Sequence, residues 1–241
     1  MKGLILAAGV ASRLKPLTNN LPKSLLNIGE GTILGNTLDN LIENSITDII
    51  IVTGFLNKKI EDFVEENYPD IKVNFLHNES YENTNNIYSL WLAKEAVEGE
   101  DFLLLDSDIV FDKKIITLLL ESEFANCLAL KTGIELGDEE IKVKLAPDNS
   151  ILEISKEVPP EEAVGESIGI EKFSSEFGKK LFDILDDMII EERKENVFYE
   201  AAFQRAIENG EKIFAESVGE SYCMEIDFAE DLEAARLLVK K

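Results

Sequence analysis

Positive charge is scarce in this chain. It carries 24 lysines and arginines against 48 aspartates and glutamates, a formal net charge of −24 over 241 residues. Such a surface repels the phosphates of nucleic acids and of anionic membranes, so neither is an expected partner. Cysteine is scarcer still. Cys127 and Cys223 stand far apart, in no metal-ligand spacing, and read as two reduced thiols rather than a disulfide scaffold. No apolar stretch approaches the ~20 residues needed to span a bilayer. The N-terminal apolar run is too short for a signal peptide, and no small-residue cleavage site follows it. A soluble, cytoplasmic protein is expected. No linker rich in Pro, Gly or Ser, no internal repeat and no low-complexity tract interrupts the chain. One domain over 1–241 is therefore expected, with a first half at 1–122 and an elaborated second half at 123–241.

What is present is an alternation of short apolar strands with amphipathic helices. Strands are predicted at 3–6, 48–53, 72–77 and 102–105, and helices at 32–45, 58–67, 87–98 and 113–121. Leu34, Leu38, Leu41 and Ile42 recur at helical spacing. Asp48–Thr53 (DIIIVT) is continuously apolar, as in a parallel strand covered on both faces. This order predicts a doubly wound α/β sheet with right-handed crossovers. After Ser122 the pattern turns α+β. Short strands are expected at 128–131, 142–145, 151–154 and 213–217, a hairpin turn at Pro147-Asp148-Asn149, and helices at 177–192, 198–209 and 229–239. Val158–Glu162 reads as a polar loop.

Both familiar phosphate loops are missing. There is no G-x-x-x-x-G-K-[ST], and of G-x-G-x-x-G only Gly9 stands after the first strand, which disfavours a dinucleotide-dependent dehydrogenase. Instead Leu6-Ala7-Ala8-Gly9-Val10-Ala11-Ser12-Arg13-Leu14 leads to Pro22-Lys23-Ser24-Leu25. A strand ending in small residues lets a ligand approach the backbone. Basic side chains just beyond it can neutralise phosphate. Two acidic motifs follow much later: Asp106-Ser107-Asp108 at the end of a buried strand, and Glu225-Ile226-Asp227 before a helix. Ligands bind at the carboxyl ends of strands in open α/β sheets, and Mg²⁺ prefers carboxylate oxygen. In so acidic a chain either motif alone also reads as surface or capping.

The ordered pair of N-terminal strings resembles the signature of the nucleotidyltransferases that activate sugar phosphates and alcohol phosphates. The resemblance implies a Rossmann-like, GT-A-like, mostly parallel mixed sheet. It implies a nucleoside triphosphate and a small phosphorylated acceptor as partners, with Mg²⁺ shared by Asp108 and Asp227. The backbone of Leu6, Ala7, Ala8 and Gly9 would face the nucleotide. Arg13 would grip the β- and γ-phosphates, and Lys23 would sit by the α-phosphate. Lys15 either reaches the triphosphate or is solvated, and the role of Asp106 is open. Lys156 matches a lysine that contacts the acceptor's phosphate, and also reads as a solvated lysine at a strand end.

The string Asn85-Asn86-Ile87-Tyr88-Ser89, with Gly165–Ile170 and Phe198-Tyr199-Glu200, looks like the bacterial choline-phosphate cytidylyltransferase branch. Asn85, Asn86 and Ser89 would then help to read a cytosine, and capping of the following helix is expected as well. A small ammonium-bearing acceptor calls for carboxylates and aromatic faces, here Glu166, Tyr199, Glu200, Tyr222 and Glu225. Trp91 reads as core, so a choline cage would rest on tyrosine and phenylalanine. The expected reaction couples CTP to phosphocholine or a related amino-alcohol phosphate or phosphonate. Sugar 1-phosphates and polyol phosphates stay open as acceptors, and UTP or dTTP as donors. A metal-dependent glycosyltransferase and a non-catalytic nucleotide-binding subunit are the rival readings.

Overall fold

Residues of alternating parity along the first strands belong to two different cores, one on each face of a sheet. In β1 (Lys2–Ala7), Leu4 and Leu6 enter one core while Ile5 and Ala7 enter the other. The computed structural model describes residues 1–239. The last two residues of the expected 1–241 span, and nothing else of it, lie outside the described residues.

After β1 the chain forms β2 (Asn27–Gly29), β3 (Gly31–Thr32), α1 (Ile33–Glu43), β4 (Asp48–Thr53), α2 (Asn57–Asn67) and β5 (Lys72–His77). Then come α3 (Asn86–Leu92), α4 (Lys94–Val97), β6 (Phe102–Asp106), β7 (Ile109–Phe111) and α5 (Lys114–Glu121). The second half holds β8 (Cys127–Thr132), β9 (Lys142–Leu145), β10 (Ile151–Ser155), β11 (Gly165–Phe173), α6 (Ser175–Asp186), α7 (Glu200–Glu208), β12 (Phe214–Ser217), β13 (Cys223–Glu225) and α8 (Ala229–Leu238).

The strands of the first half pair in parallel, β6 and β4 flanking β1 and β5 lying beyond β4. The second half joins the same sheet antiparallel. β11 pairs with β8 on one edge, and with β9 at its start and β6 at its end on the other. β12 closes on β8 in parallel. The mixed α/β sheet is thus parallel at its centre, as expected.

Several predicted elements need correcting. The helix expected at 87–98 is two pieces, α3 and α4, which meet at Ala93; Leu90, Ala93 and Val97 still enter one core. The helix expected at 177–192 ends as α6 at Asp186 and continues as a wider π turn over Asp187–Glu191. β11 was not foreseen as a strand at all. Gly165 and Gly169 lower its strand propensity, and residues 170–173 are all buried, so no apolar–polar alternation marks it. β7 and β13 are three residues each, too short to announce themselves.

Candidate active site

The carboxyl ends of β1 and β6 open into a cleft of about 600 Å³. β11 runs opposite to β6, so its beginning, Glu166–Gly169, lies beside Asp106 at the end of β6. The chain reversal beside parallel neighbours therefore places the second half directly against the first at the site.

One wall is the loop after β1. Leu6, Ala7, Ala8 and Gly9 line the cleft. A Cβ added to Gly9 would meet nothing within 4 Å, so the loop leaves open space for a ligand. Behind it the backbone is tightly fixed. Phe55 N–H donates to the Ala8 carbonyl at 3.2 Å, and a Cβ on Gly54 would come within 2.6 Å of that oxygen. Ala11 takes a left-handed φ of 50°, and the Thr18 hydroxyl donates to its carbonyl at 2.9 Å. This bend sends the chain through Arg13 and back to Lys23.

The two acidic motifs meet across β7 and β13. These strands pair antiparallel, with Ile109 opposite Glu225, and Ile226 N–H donates to the Asp108 carbonyl at 2.9 Å. The Asp231 carboxylate accepts from the backbone N–H groups of Asp227 and Phe228, at 3.0 and 2.7 Å, which fixes the turn into α8. Carboxylate oxygens of Asp108, Glu225 and Asp227 consequently lie within 4.8 Å of one another.

Lys23 stands between two of them. Its Nζ donates to Asp108 Oδ2 and to Asp227 Oδ1, each at 2.8 Å. Arg13 Nη1 donates to Asp227 Oδ2 at 2.7 Å. Burial works against the Lys23 charge, but its two carboxylate partners outweigh burial and raise its pKa. Burial likewise pushes Asp227 up, while Lys23 and Arg13 pull it below the usual carboxylate range. Glu225 has no such partner. Burial, then Asp108 and Asp227, push its pKa to about 8.

The opposite wall comes from β11, the segment before α7, and Lys156. Lys156 Nζ lies 4.7 Å from the centre of the Phe198 ring and 3.3 Å from Glu139. Glu166, Ser167, Gly169 and Glu200 line this side. Gly169 has a φ of +69°, and a Cβ there would fall 2.5 Å from Asp106 Oδ2. Only glycine lets β11 approach β6 so closely. Burial, then Glu140, raises Glu166 to about 6, and burial raises Glu200 to about 7.

Of the residues expected at the site, most converge on this cleft: the Leu6–Gly9 loop, Arg13, Lys23, Asp106, Asp108, Lys156, Glu166, Glu200, Glu225 and Asp227. Asn85, Asn86 and Ser89 also line it, but their side chains carry structural bonds. The Asn85 side chain accepts from Asn86 N–H at 2.7 Å as the cap of α3, and Asn86 Oδ1 accepts from Tyr199 N–H at 2.9 Å. The buried Ser89 hydroxyl accepts from Asn78 Nδ2 at 3.1 Å.

Three expectations are corrected. Lys15 is exposed outside the cleft, because the bend at Ala11 directs only Arg13 and Lys23 inward. Tyr222 packs on the small core under α8 instead of facing the cleft. Tyr199 is fully buried behind the wall. Its hydroxyl donates to Asp106 Oδ2 at 3.0 Å, with Glu171 Oε1 at 3.4 Å, so it supports the wall without forming it. Trp91, expected in the core, is half-buried and donates to Asp186 Oδ1 at 2.8 Å.

Sequence reading missed Asn78, Glu139 and Phe198 as lining residues, and Glu171 behind them. Phe198 and Ser167 stand inside strings already singled out. Asn78 follows a strand end, the usual place for a ligand-facing residue. Glu171 sits in the unforeseen β11 and carried no signal.

Known proteins share this architecture. The family described as nucleotidyl transferase matches residues 2–128. CTP:phosphoglutamine cytidylyltransferase of Campylobacter jejuni is 27% identical, over 97% of this chain and 98% of its own. Choline-phosphate cytidylyltransferase of Streptococcus pneumoniae is 37% identical over 45% of this chain and 44% of its own. A solved CTP:phosphocholine cytidylyltransferase from S. pneumoniae superposes with a TM-score of 0.80 over 99% of this chain and 98% of its own. At 23% identity this last match is a likeness of fold.

Proposed function

The chain belongs to the nucleotidyl transferase family, and from that premise we propose that it transfers a cytidylyl group from CTP to a small phosphorylated amino alcohol or the corresponding phosphonate. The observation that carries this reading is the convergence of the Gly9 loop, Lys23 and the Asp108–Asp227 pair in one cleft. The names of the Campylobacter and pneumococcal relatives support CTP as donor and a small phosphorylated acceptor.

An oxygen of the acceptor's phosphate would attack the α-phosphorus in line. The new P–O bond forms as the bond to the β-phosphate bridge breaks, and pyrophosphate leaves with that electron pair. A phosphate dianion needs no general base, so catalysis reduces to positioning and charge neutralisation. Lys23 would stabilise charge at the α-phosphate, and Arg13 would hold the outer phosphates bidentately. Both cations are ion-paired to carboxylates in the free protein, so both are already aimed into the cleft.

The all-oxygen donor set of Asp108, Glu225 and Asp227 fits a hard divalent cation. We assign Mg²⁺ to Asp108 and Asp227, with Glu225 as a further donor. Bound there, it would neutralise charge shared by the acceptor and the α-phosphate. Lys156 would meet the acceptor's phosphate.

A pyrophosphate-release screen tests the reading. It crosses CTP, UTP, dTTP, ATP and GTP with phosphocholine, aminoethylphosphonate, glycerol phosphate, inositol phosphate and hexose 1-phosphates. Release with CTP and an amino-alcohol acceptor is expected. Release confined to UTP or dTTP with a hexose 1-phosphate would replace the reading with sugar activation. No release with any pair would favour a glycosyltransferase or a non-catalytic subunit.

A further inference from the structure

We propose that the acceptor wall selects a primary ammonium group and discriminates against a quaternary one, with Glu200 and Ser167 as the specificity-determining residues. This rests on the reading above that the acceptor is an amino-alcohol phosphate or phosphonate.

The first observation is a pair of orphaned acceptors. Glu200 is 5% exposed and Ser167 is 6% exposed, and both line the cleft. Glu200 Oε2 and Ser167 Oγ are buried, and neither has a hydrogen-bond partner. Buried polar atoms are rarely left so. These two come from different elements, α7 and β11, which the fold brings to the same wall. Each can accept a hydrogen bond, and what they lack is a donor.

The second observation concerns the rings. A quaternary ammonium has no N–H and relies on free aromatic faces. Phe198 already carries Lys156 Nζ at 4.7 Å from its ring centre, and Phe228 carries Arg13 Cζ at 5.7 Å. Tyr199 is sealed in the core, its ring packed on Phe203 with centroids 5.1 Å apart. Phe198 and Phe228 still keep 41% and 50% of their surface exposed in the cleft, so the discrimination rests on the two unpartnered oxygens and not on the rings.

A third observation sets the charge. Asp106, which lines the cleft, and Glu171 behind the wall both face the Tyr199 hydroxyl, and Glu171 is fully buried with Oε2 also unpartnered. Burial pushes Asp106 and Glu171 well above the usual carboxylate range, so they stand as protonated acids and it is Glu200 that faces a cation. A primary ammonium supplies three N–H donors and one positive charge. It would satisfy Glu200 Oε2 and Ser167 Oγ together. A trimethylammonium would press methyl groups on both oxygens and leave them unpaired, the situation that polar sites reject most strongly.

The test uses a methyl series on the whole protein, with CTP and Mg²⁺: phosphoethanolamine, its N-methyl and N,N-dimethyl derivatives, and phosphocholine. The expected result is a stepwise fall in kcat/KM, on the order of 100-fold from the first to the last. Glu200→Gln should narrow the ratio between the two ends about tenfold, and Ser167→Ala should narrow it less. Phosphocholine turned over as well as phosphoethanolamine would overturn the proposal while leaving the cytidylyltransferase reading intact. Turnover of hexose 1-phosphates with none of the series would overturn both. The wild-type series decides the matter even if a variant fails to fold.

Discussion

The two walls of the cleft are made in different ways. The nucleotide wall is nearly contiguous: Leu6 to Lys23 form one strand end, one loop and one return, held by local bonds such as Thr18 to the Ala11 carbonyl. The acceptor wall is assembled from Lys156, the start of β11 and the start of α7, separated by long stretches of chain. The first is rich in small residues and open space, suited to a shared substrate. The second carries buried oxygens without partners, at Glu200 and Ser167, suited to one particular ligand. Under the proposed function, reaction type and acceptor choice would be carried by separate parts of the molecule. Changes on the first wall should then affect every acceptor alike, and changes on the second should alter the ranking among acceptors.

The largest effect is expected at Asp108. Asp108→Asn should lower kcat by about 1000-fold for all acceptors, read by pyrophosphate release. A loss confined to one acceptor would break the division between the walls. Lys23→Ala should cost on the order of 100-fold, again without regard to acceptor.

Gly169→Ala lies on the other wall. It introduces a side chain at a positive φ, with its Cβ 2.5 Å from Asp106 Oδ2. The strain should cost about 1–3 kcal/mol in urea unfolding. Acceptor KM should rise several-fold while the KM for CTP holds.

The pH dependence of stability sharpens the comparison. Burial raises Glu200 to about 7 from an ordinary 4.5. Between those values the folded state holds a proton that the unfolded chain has released. Stability from this group is therefore full below pH 4.5, falls as the pH rises to about 7, and is level above. Thermal melts of wild type and Glu200→Gln across pH 4.5 to 8 should diverge in favour of the variant by on the order of 3 kcal/mol. Parallel curves would mean that Glu200 is not desolvated.

The smallest effect is expected at Trp91, which does not line the cleft. Trp91→Phe removes the bond to Asp186 and should cost about 1 kcal/mol in stability. Acceptor ranking should not change.

Much of the nucleotide wall could be read from the chain because its residues are neighbours. Strand, small-residue turn and returning lysine lie within one short run, and periodicity predicts β4, β5 and β9 to the residue. The acceptor wall could be named only in fragments. Glu166, Glu200 and Lys156 reach the cleft, yet Tyr199 turns inward and Tyr222 turns away. Tyr199 sits between Phe198 and Glu200, which do reach the cleft, and nothing local tells these neighbours apart. The direction of both tyrosines depends on how α7 and β13 pack, which is a property of distant contacts.

The sequence by itself determined the kind of chemistry. A run of small residues ending a strand and a lysine returning to it suffice to mark a nucleotidyl transferase, because their side-chain chemistry is local, and two late aspartates supply the proposed cation site. Tertiary structure alone decided which oxygens lack partners. That depends on β11 running antiparallel to β6 and on Gly169 admitting the close approach. Burial and hydrogen-bond satisfaction are sums over all neighbours, so no single stretch of chain encodes them.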